Sequence, residues 1–199
     1  MVNKAANMNT CGVILSGGKS SRMGTNKSLL TIDNQPVIQK ISEELKQCND
    51  EVIVVSNQHE TYDFLGLKQI SDRHTGKGPL AGLETALYHV NADVYMFAAC
   101  DMPFISSEVY RFLLQQLAHY DAVVPIYNNQ MHPLAGIYKK SVLPQIQSQI
   151  EKNNLKVKGF FAYVNVIYVR DFGNLSDELL QKHFFNMNNP AQYKEAKRL

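Results

Sequence analysis

The sequence predicts a three-layer α/β/α fold, doubly wound around a mostly parallel central sheet. Two observations point to it. Short apolar runs of strand length, CGVIL (11–15), EVIVVS (51–56) and VYMFAA (94–99), alternate with segments whose apolar residues repeat at helical spacing. The resulting β-α-β-α-β-α order calls for parallel strands joined by helices that cover both faces of the sheet. The chain has 199 residues, 45% of them hydrophobic, which fits one core that needs neither disulfides nor a structural metal.

Residues 1–10, MVNKAANMNT, lack the apolar stretch of a signal peptide and read as a flexible leader, with Met8 an alternative start. One domain is expected over 11–199. Residues 11–15 form a buried strand, and 16–27 (SGGKSSRMGTNK) form a Gly/Ser/Lys-rich loop. From Pro36, the four-residue spacing of Val37, Ile41 and Leu45 predicts a helix with proline in its first turn. Residues 51–56 make a second strand, and Lys68-Gln69-Ile70 is strand-like. Pro79 opens a helix that puts Leu80, Leu83, Leu87 and Val90 on one face. The strand 94–99 runs into Cys100–Asp101, and Ser106 or Ser107 caps a helix over 106–118. Strands follow at 121–126 and 134–138, a helix at 142–152, a last clear strand at 163–169, and a closing helix in NNPAQYKEAKRL. Residues 127–132 and 151–159 are candidate loops.

The balance of charges excludes several functions. Net charge is +2 with both signs mixed along the chain, so the basic stripe of a nucleic-acid binder is missing. Small anionic ligands remain compatible. No apolar run reaches the roughly 18–20 residues of a membrane span. Cys11, Cys48 and Cys100 are odd in number and far apart, which suggests neither disulfides nor zinc but buried thiols in the reducing cytoplasm. The six histidines form no metal-binding pair.

In a sheet of this kind ligands lie beyond the carboxyl ends of the strands. The loops 16–27, 71–82 and 100–104 lie there. In the first, Gly17 and Gly18 let the backbone approach a ligand and turn N–H groups towards it, Arg22 can fork onto phosphate oxygens, and Lys27 adds a mobile charge. Such a loop can cradle a triphosphate; the plainer alternative is an ordinary loop with surface cations. Gly18-Lys19-Ser20 resembles the end of a P-loop, but the glycine that motif requires five residues earlier is Val13. Asp101 ends an apolar strand over the crevice, where a carboxylate suits magnesium; it could equally cap the Pro103 turn. Asp72 ends another strand. Gly78 can cap the helix that follows and Gly82 allows close approach near its N-terminus, although both could be turn punctuation. In Phe185-Asn186-Met187-Asn188-Asn189-Pro190 the amides suit a sugar or pterin edge, or Asn188 or Asn189 caps the last helix.

Taken in order, these segments resemble the molybdenum cofactor guanylyltransferase family, within the glycosyltransferase-A-type nucleotidyltransferases whose fold is that of the nucleotide-diphospho-sugar transferases. The resemblance is carried by Leu15-Ser16-Gly17-Gly18, Arg22-Met23-Gly24, Lys27, Asp72, Gly78-Pro79-Leu80-Ala81-Gly82, Cys100-Asp101-Met102-Pro103 and Asn186-Met187-Asn188, and it spans about residues 11–198. It implies that Leu15, Ser16 and Gly17 contact guanine and its nucleoside through their backbone, that Arg22 and Lys27 meet the triphosphate, and that Asp72 binds the nucleoside side of GTP. It implies further that Asp101 holds Mg2+ and contacts GTP, and that Asn186 and Asn188 line the acceptor or catalytic side of the cleft. The family often has alanine at the place of Ser16 and threonine at that of Met102.

The implied reaction joins GMP to the phosphate of molybdopterin and releases pyrophosphate, with Arg22, Lys27 and Asp101 as catalytic residues. Handover to proteins that deliver or accept the cofactor is compatible with it. The competing readings are a cytidylyl- or sugar-phosphate transferase on the same scaffold and a nucleotide-binding regulator without turnover.

Overall fold

The structure, a computed structural model, describes residues 8–17 and 26–199. Strand β1 (Thr10–Leu15) leads through a 3-10 turn (Lys27–Leu29) into a small hairpin, β2 (Thr31–Ile32) and β3 (Gln35–Pro36), then into α1 (Val37–Lys46). Next come β4 (Glu51–Val55), a 3-10 segment (His59–Leu65), β5 (Lys68–Ile70), α2 (Pro79–His89), β6 (Val94–Ala99) and α3 (Ser107–Gln116). The second half holds β7 (Ala122–Tyr127), β8 (Gln130–Met131), β9 (Ile137–Lys139), α4 (Leu143–Glu151), β10 (Val166–Val169), α5 (Asp177–His183) and α6 (Pro190–Ala196).

The main sheet runs β10-β7-β9-β6-β1-β4-β5, with β8 paired to β7. The pairs β1–β4, β1–β6, β4–β5 and β7–β10 are parallel, while β9 lies antiparallel between β6 and β7. This is the doubly wound, mostly parallel sheet the sequence predicts. The strands alternate their side chains between two cores because successive residues point to opposite faces. Ile14, Val54, Met96 and Ala98 pack with α1, α3 and α5; Val13, Leu15, Ile53, Val55 and Phe97 pack with α2, α4 and the phenylalanines Phe160 and Phe161. Among the described residues no helix is long and apolar enough to cross a membrane.

Several boundaries differ from expectation for local reasons. Residues 134–138 are not one strand. Pro133 opens a 3-10 turn (Pro133–Ala135), and β9 is reached only at Ile137. The candidate loop 127–132 is a tight hairpin in which Asn128 and Asn129 both take left-handed φ, the geometry that matches strand twist. Asp33 and Asn34 do the same between β2 and β3. Val157–Tyr163 is a 3-10 segment, so β10 starts at Val166. Helix α5 is an addition, capped by the Ser176 hydroxyl, which accepts from Leu179 N.

Candidate functional site

The register of the sheet builds the site. Leu15 pairs with Ala99 on one side and Val55 on the other, and Val55 pairs with Ile70. Four parallel strands therefore end level, in the spatial order β6, β1, β4, β5. The residues that follow them, led by Cys100–Asp101, Ser16–Gly17, Ser56–Asn57 and Ser71–Asp72, line one edge. At about 4.8 Å per strand this edge spans roughly 14 Å.

Leu15 is the last residue of β1, and its carbonyl accepts from Cys100 N at 3.2 Å. Its side chain explains Gly82. A Cβ built at Gly82 would stand 2.9 Å from Leu15 Cδ2, so the glycine lets α2 press against the end of β1. Ser16 is buried; its N–H donates to Val55 O at 3.0 Å, and its hydroxyl meets the Tyr62 hydroxyl at 2.6 Å. Gly17 is exposed, and among the described residues no atom lies within 4 Å of a Cβ built there. Gly18 and Arg22 lie outside the described residues, as do residues 1–7 of the expected leader.

Lys27 begins the 3-10 turn that Asn26 caps by accepting from Ser28 N at 3.2 Å. Its charge reaches Asp101. Burial pushes the Asp101 carboxyl above the ordinary carboxylate value of 3.8, and Lys27 pulls it part of the way back. Burial, then the Asp101 charge, pushes the neighbouring Cys100 thiol up to about 12, so Cys100 stays protonated and is no nucleophile at neutral pH. The carbonyl of Asp101 accepts from Met187 N at 2.8 Å, which brings the 186–188 segment to this end of β6. Asn186 folds its amide onto Phe184 O at 2.9 Å. Asn188 is exposed and its N–H donates to Gln192 Oε1 at 2.7 Å, while Asn189 caps α6 by accepting from Gln192 N at 2.9 Å.

Asp72 is held from two sides. Its N–H donates to Asn57 Oδ1 at 3.0 Å, and its own Oδ1 accepts from His74 N at 2.9 Å. The loop beyond it is anchored to fully buried Glu84 of α2, which pairs with Arg73 and takes Gln147 Nε2 at 2.9 Å. His74 Nε2 lies 3.6 Å from the other Glu84 oxygen. Gly78 is the N-cap of α2 with φ +72°, a conformation that favours glycine, and as a glycine it makes no side-chain cap bond.

Sequence reasoning missed Asn26, Asn57 and Tyr62. Asn26 adjoins Lys27 but reads as loop filler, and Asn57 follows β4 with no motif around it. Tyr62 stands in the polar stretch HETYDFL, where only an aromatic among charges hinted at burial.

A family model described as a MobA-like NTP transferase domain matches residues 12–162. A probable molybdenum cofactor guanylyltransferase of Carboxydothermus hydrogenoformans is 39% identical over 184 residues, covering 92% of each chain. One of Clostridium perfringens is 33% identical over 198 residues, covering 98% of this chain and 96% of its own. The crystal structure of molybdopterin-guanine dinucleotide biosynthesis protein A from Archaeoglobus fulgidus superposes with a TM-score of 0.80 at 25% identity, over 94% of this chain and 97% of that one. A CMP:2-keto-3-deoxy-manno-octonic acid synthetase complexed with CTP shares the fold at 16% identity and a TM-score of 0.67.

Proposed function

This chain belongs to the MobA-like NTP transferase family, a family of nucleotidyltransferases, and we propose that it transfers GMP from GTP to the terminal phosphate of molybdopterin. An oxygen of the acceptor phosphate attacks the α-phosphorus of GTP, the bond from that phosphorus to the β-phosphate oxygen breaks, and pyrophosphate leaves with the electron pair. The nucleophile is already an anion, so no general base is required. Positioning and charge stabilisation then supply most of the rate.

The observation that carries this reading is the level edge where Lys27 and the half-buried Asp101 meet the Ser16–Gly17 backbone. Exposed Gly17 leaves room for a nucleotide against the main chain. Asp72, fixed by Asn57, would take the nucleoside side. Lys27, with Arg22 by its place in the sequence, would neutralise the departing pyrophosphate. The N-terminus of α2, where Gly78 brings no capping side chain, would offer N–H groups to an anion. Asn186 and Asn188 would face the acceptor.

The donor set suits magnesium. Among the described residues no cluster of three His, Cys, Asp or Glu side chains could hold a metal unaided. Magnesium characteristically takes one or two carboxylates and completes its shell with substrate phosphates and water. Asp101, whose carboxylate burial disfavours, is the group that would hold it. When bound, Mg2+ supplies a Lewis acid that offsets phosphate charge.

Titration of the protein with GTP, CTP, ATP and UTP in magnesium tests the reading. Selective binding of GTP is expected. Selective binding of CTP would assign the chain to cytidylyl transfer, and binding of none would refute the nucleotide site.

A further inference from the structure

One hydroxyl joins the residues on either side of the glycine-rich segment. Tyr62 lies in the 3-10 segment after β4 and is 1% exposed. Its phenol oxygen lies 2.6 Å from Ser16 Oγ, 2.9 Å from Asn26 Nδ2 and 2.9 Å from Ser28 Oγ. Proton counting orders these bonds. The Asn26 amide nitrogen can only donate. The Ser28 proton goes to Asn26 Oδ1, at 2.6 Å. Ser28 must therefore accept the phenol proton, which leaves Ser16 to donate to the phenol. Tyr62 then gives one bond and receives two, its full capacity.

The consequence concerns Lys27. It stands between Asn26 and Ser28, both tied to the same oxygen, and Ser16 on the far side of the segment is tied there too. The distance from the Ser16 backbone to the base of Lys27 is thus set by one side chain that is itself buried. Asn26 is steadied further by donating to Gln58 Oε1 at 3.1 Å, from the same stretch of chain as Tyr62.

We propose that Tyr62 is a positioning residue for the nucleotide: its hydroxyl holds the Ser16 backbone and Lys27 at the separation that binds the triphosphate. This rests on the reading of the site as one for GTP.

The test is Tyr62→Phe, which keeps the buried ring and removes the oxygen. GTP affinity in magnesium, steady-state kinetics for both substrates and thermal unfolding are measured beside the wild type. The Kd for GTP is expected to rise about tenfold and kcat/KM for GTP to fall by about ten- to a hundredfold, with the KM for the acceptor within about twofold. The melting temperature is expected to stay within about 5 °C. A GTP Kd within twofold of wild type overturns the proposal. So does a parallel loss in both substrates together with a large drop in melting temperature, which would mark the hydroxyl as merely structural. If Tyr62→Phe does not fold, Ser28→Ala, which removes the acceptor of the phenol proton, decides: a weaker GTP affinity supports the proposal and an unchanged one overturns it. Failure of the wild type to bind GTP would instead refute the function proposed above.

Discussion

Replacing Glu84 with alanine would strike the loop that carries Asp72 without touching the site. The Glu84 carboxylate is fully buried on α2, and it pairs with Arg73 and accepts from Gln147 Nε2 at 2.9 Å. Breaking a buried ion pair by deleting one partner costs about 3–5 kcal/mol. Two features lower that here. The Arg73 side chain is 31% exposed, and its guanidinium lies 3.4 Å over the Tyr88 ring, so it keeps water and a stacking partner once the carboxylate is gone. Loss of the Gln147 bond adds about 1 kcal/mol. The net expectation is about 3 kcal/mol, which at roughly 2–4 °C per kcal/mol lowers the melting temperature by about 6–12 °C. GTP affinity should fall about three- to tenfold, near 1 kcal/mol, because Thr85 Oγ1 still accepts from Arg73 N at 3.0 Å and Asn57 still holds Asp72. Glu84→Gln keeps the volume and an acceptor oxygen and should lose less than half as much stability. Scanning calorimetry and nucleotide titration read both quantities. A melting temperature lowered by less than about 3 °C in Glu84→Ala, or an equal loss in both variants, would refute the reasoning.

Two further outcomes are expected. Lys27→Ala withdraws the charge that pulls the Asp101 carboxyl back towards its ordinary value, so that carboxyl rises further. On the proposed role of Asp101 the active form is its carboxylate, so the acid limb of the pH profile of kcat/KM should move to higher pH in Lys27→Ala, and added magnesium should move it down again; a limb that stays in place would contradict the pairing. His183 is buried, accepts from Ser106 N at 2.9 Å through Nδ1, and is pushed down by burial, then by His132, to about 3 from 6.5. Between those values the unfolded chain binds a proton that the folded chain refuses, so stability falls as pH drops, by up to about 1.4 kcal/mol per pH unit. Urea unfolding at pH 7 and pH 5 should show His183→Gln losing about 2 kcal/mol less than wild type over that interval, and an equal loss would contradict the assignment.

The parts legible in the sequence are those where one physical rule dominates. The leucine spacing of 80, 83 and 87 marks α2, and the run VYMFAA delivers Asp101 to the end of β6 because a strand buried on both faces must be apolar throughout. Gly82 was legible as a position of close approach, and its partner proves to be Leu15, a contact that joins two elements 67 residues apart and leaves no local trace. Strand β9 was legible in the run LAGIY but placed three residues early, because the turn opened by Pro133 takes up Leu134 and Ala135, and its antiparallel sense is decided by neighbours. Helix α5 escaped because Leu179 and Leu180 alone carry its apolar face. The hub at Tyr62 could not be read, since three hydroxyls and an amide meet only after β1 and β4 pair.

The most direct test of the central claim is acceptor-dependent release of pyrophosphate from GTP, with CTP beside it, for wild type and Asp101→Ala at saturating magnesium. The account predicts one pyrophosphate per GMP joined to molybdopterin, preference for GTP, and a loss of at least about a hundredfold in turnover for Asp101→Ala, the scale of losing one preorganised electrostatic group. Preference for CTP, release without acceptor, or a loss under about tenfold in Asp101→Ala would contradict it.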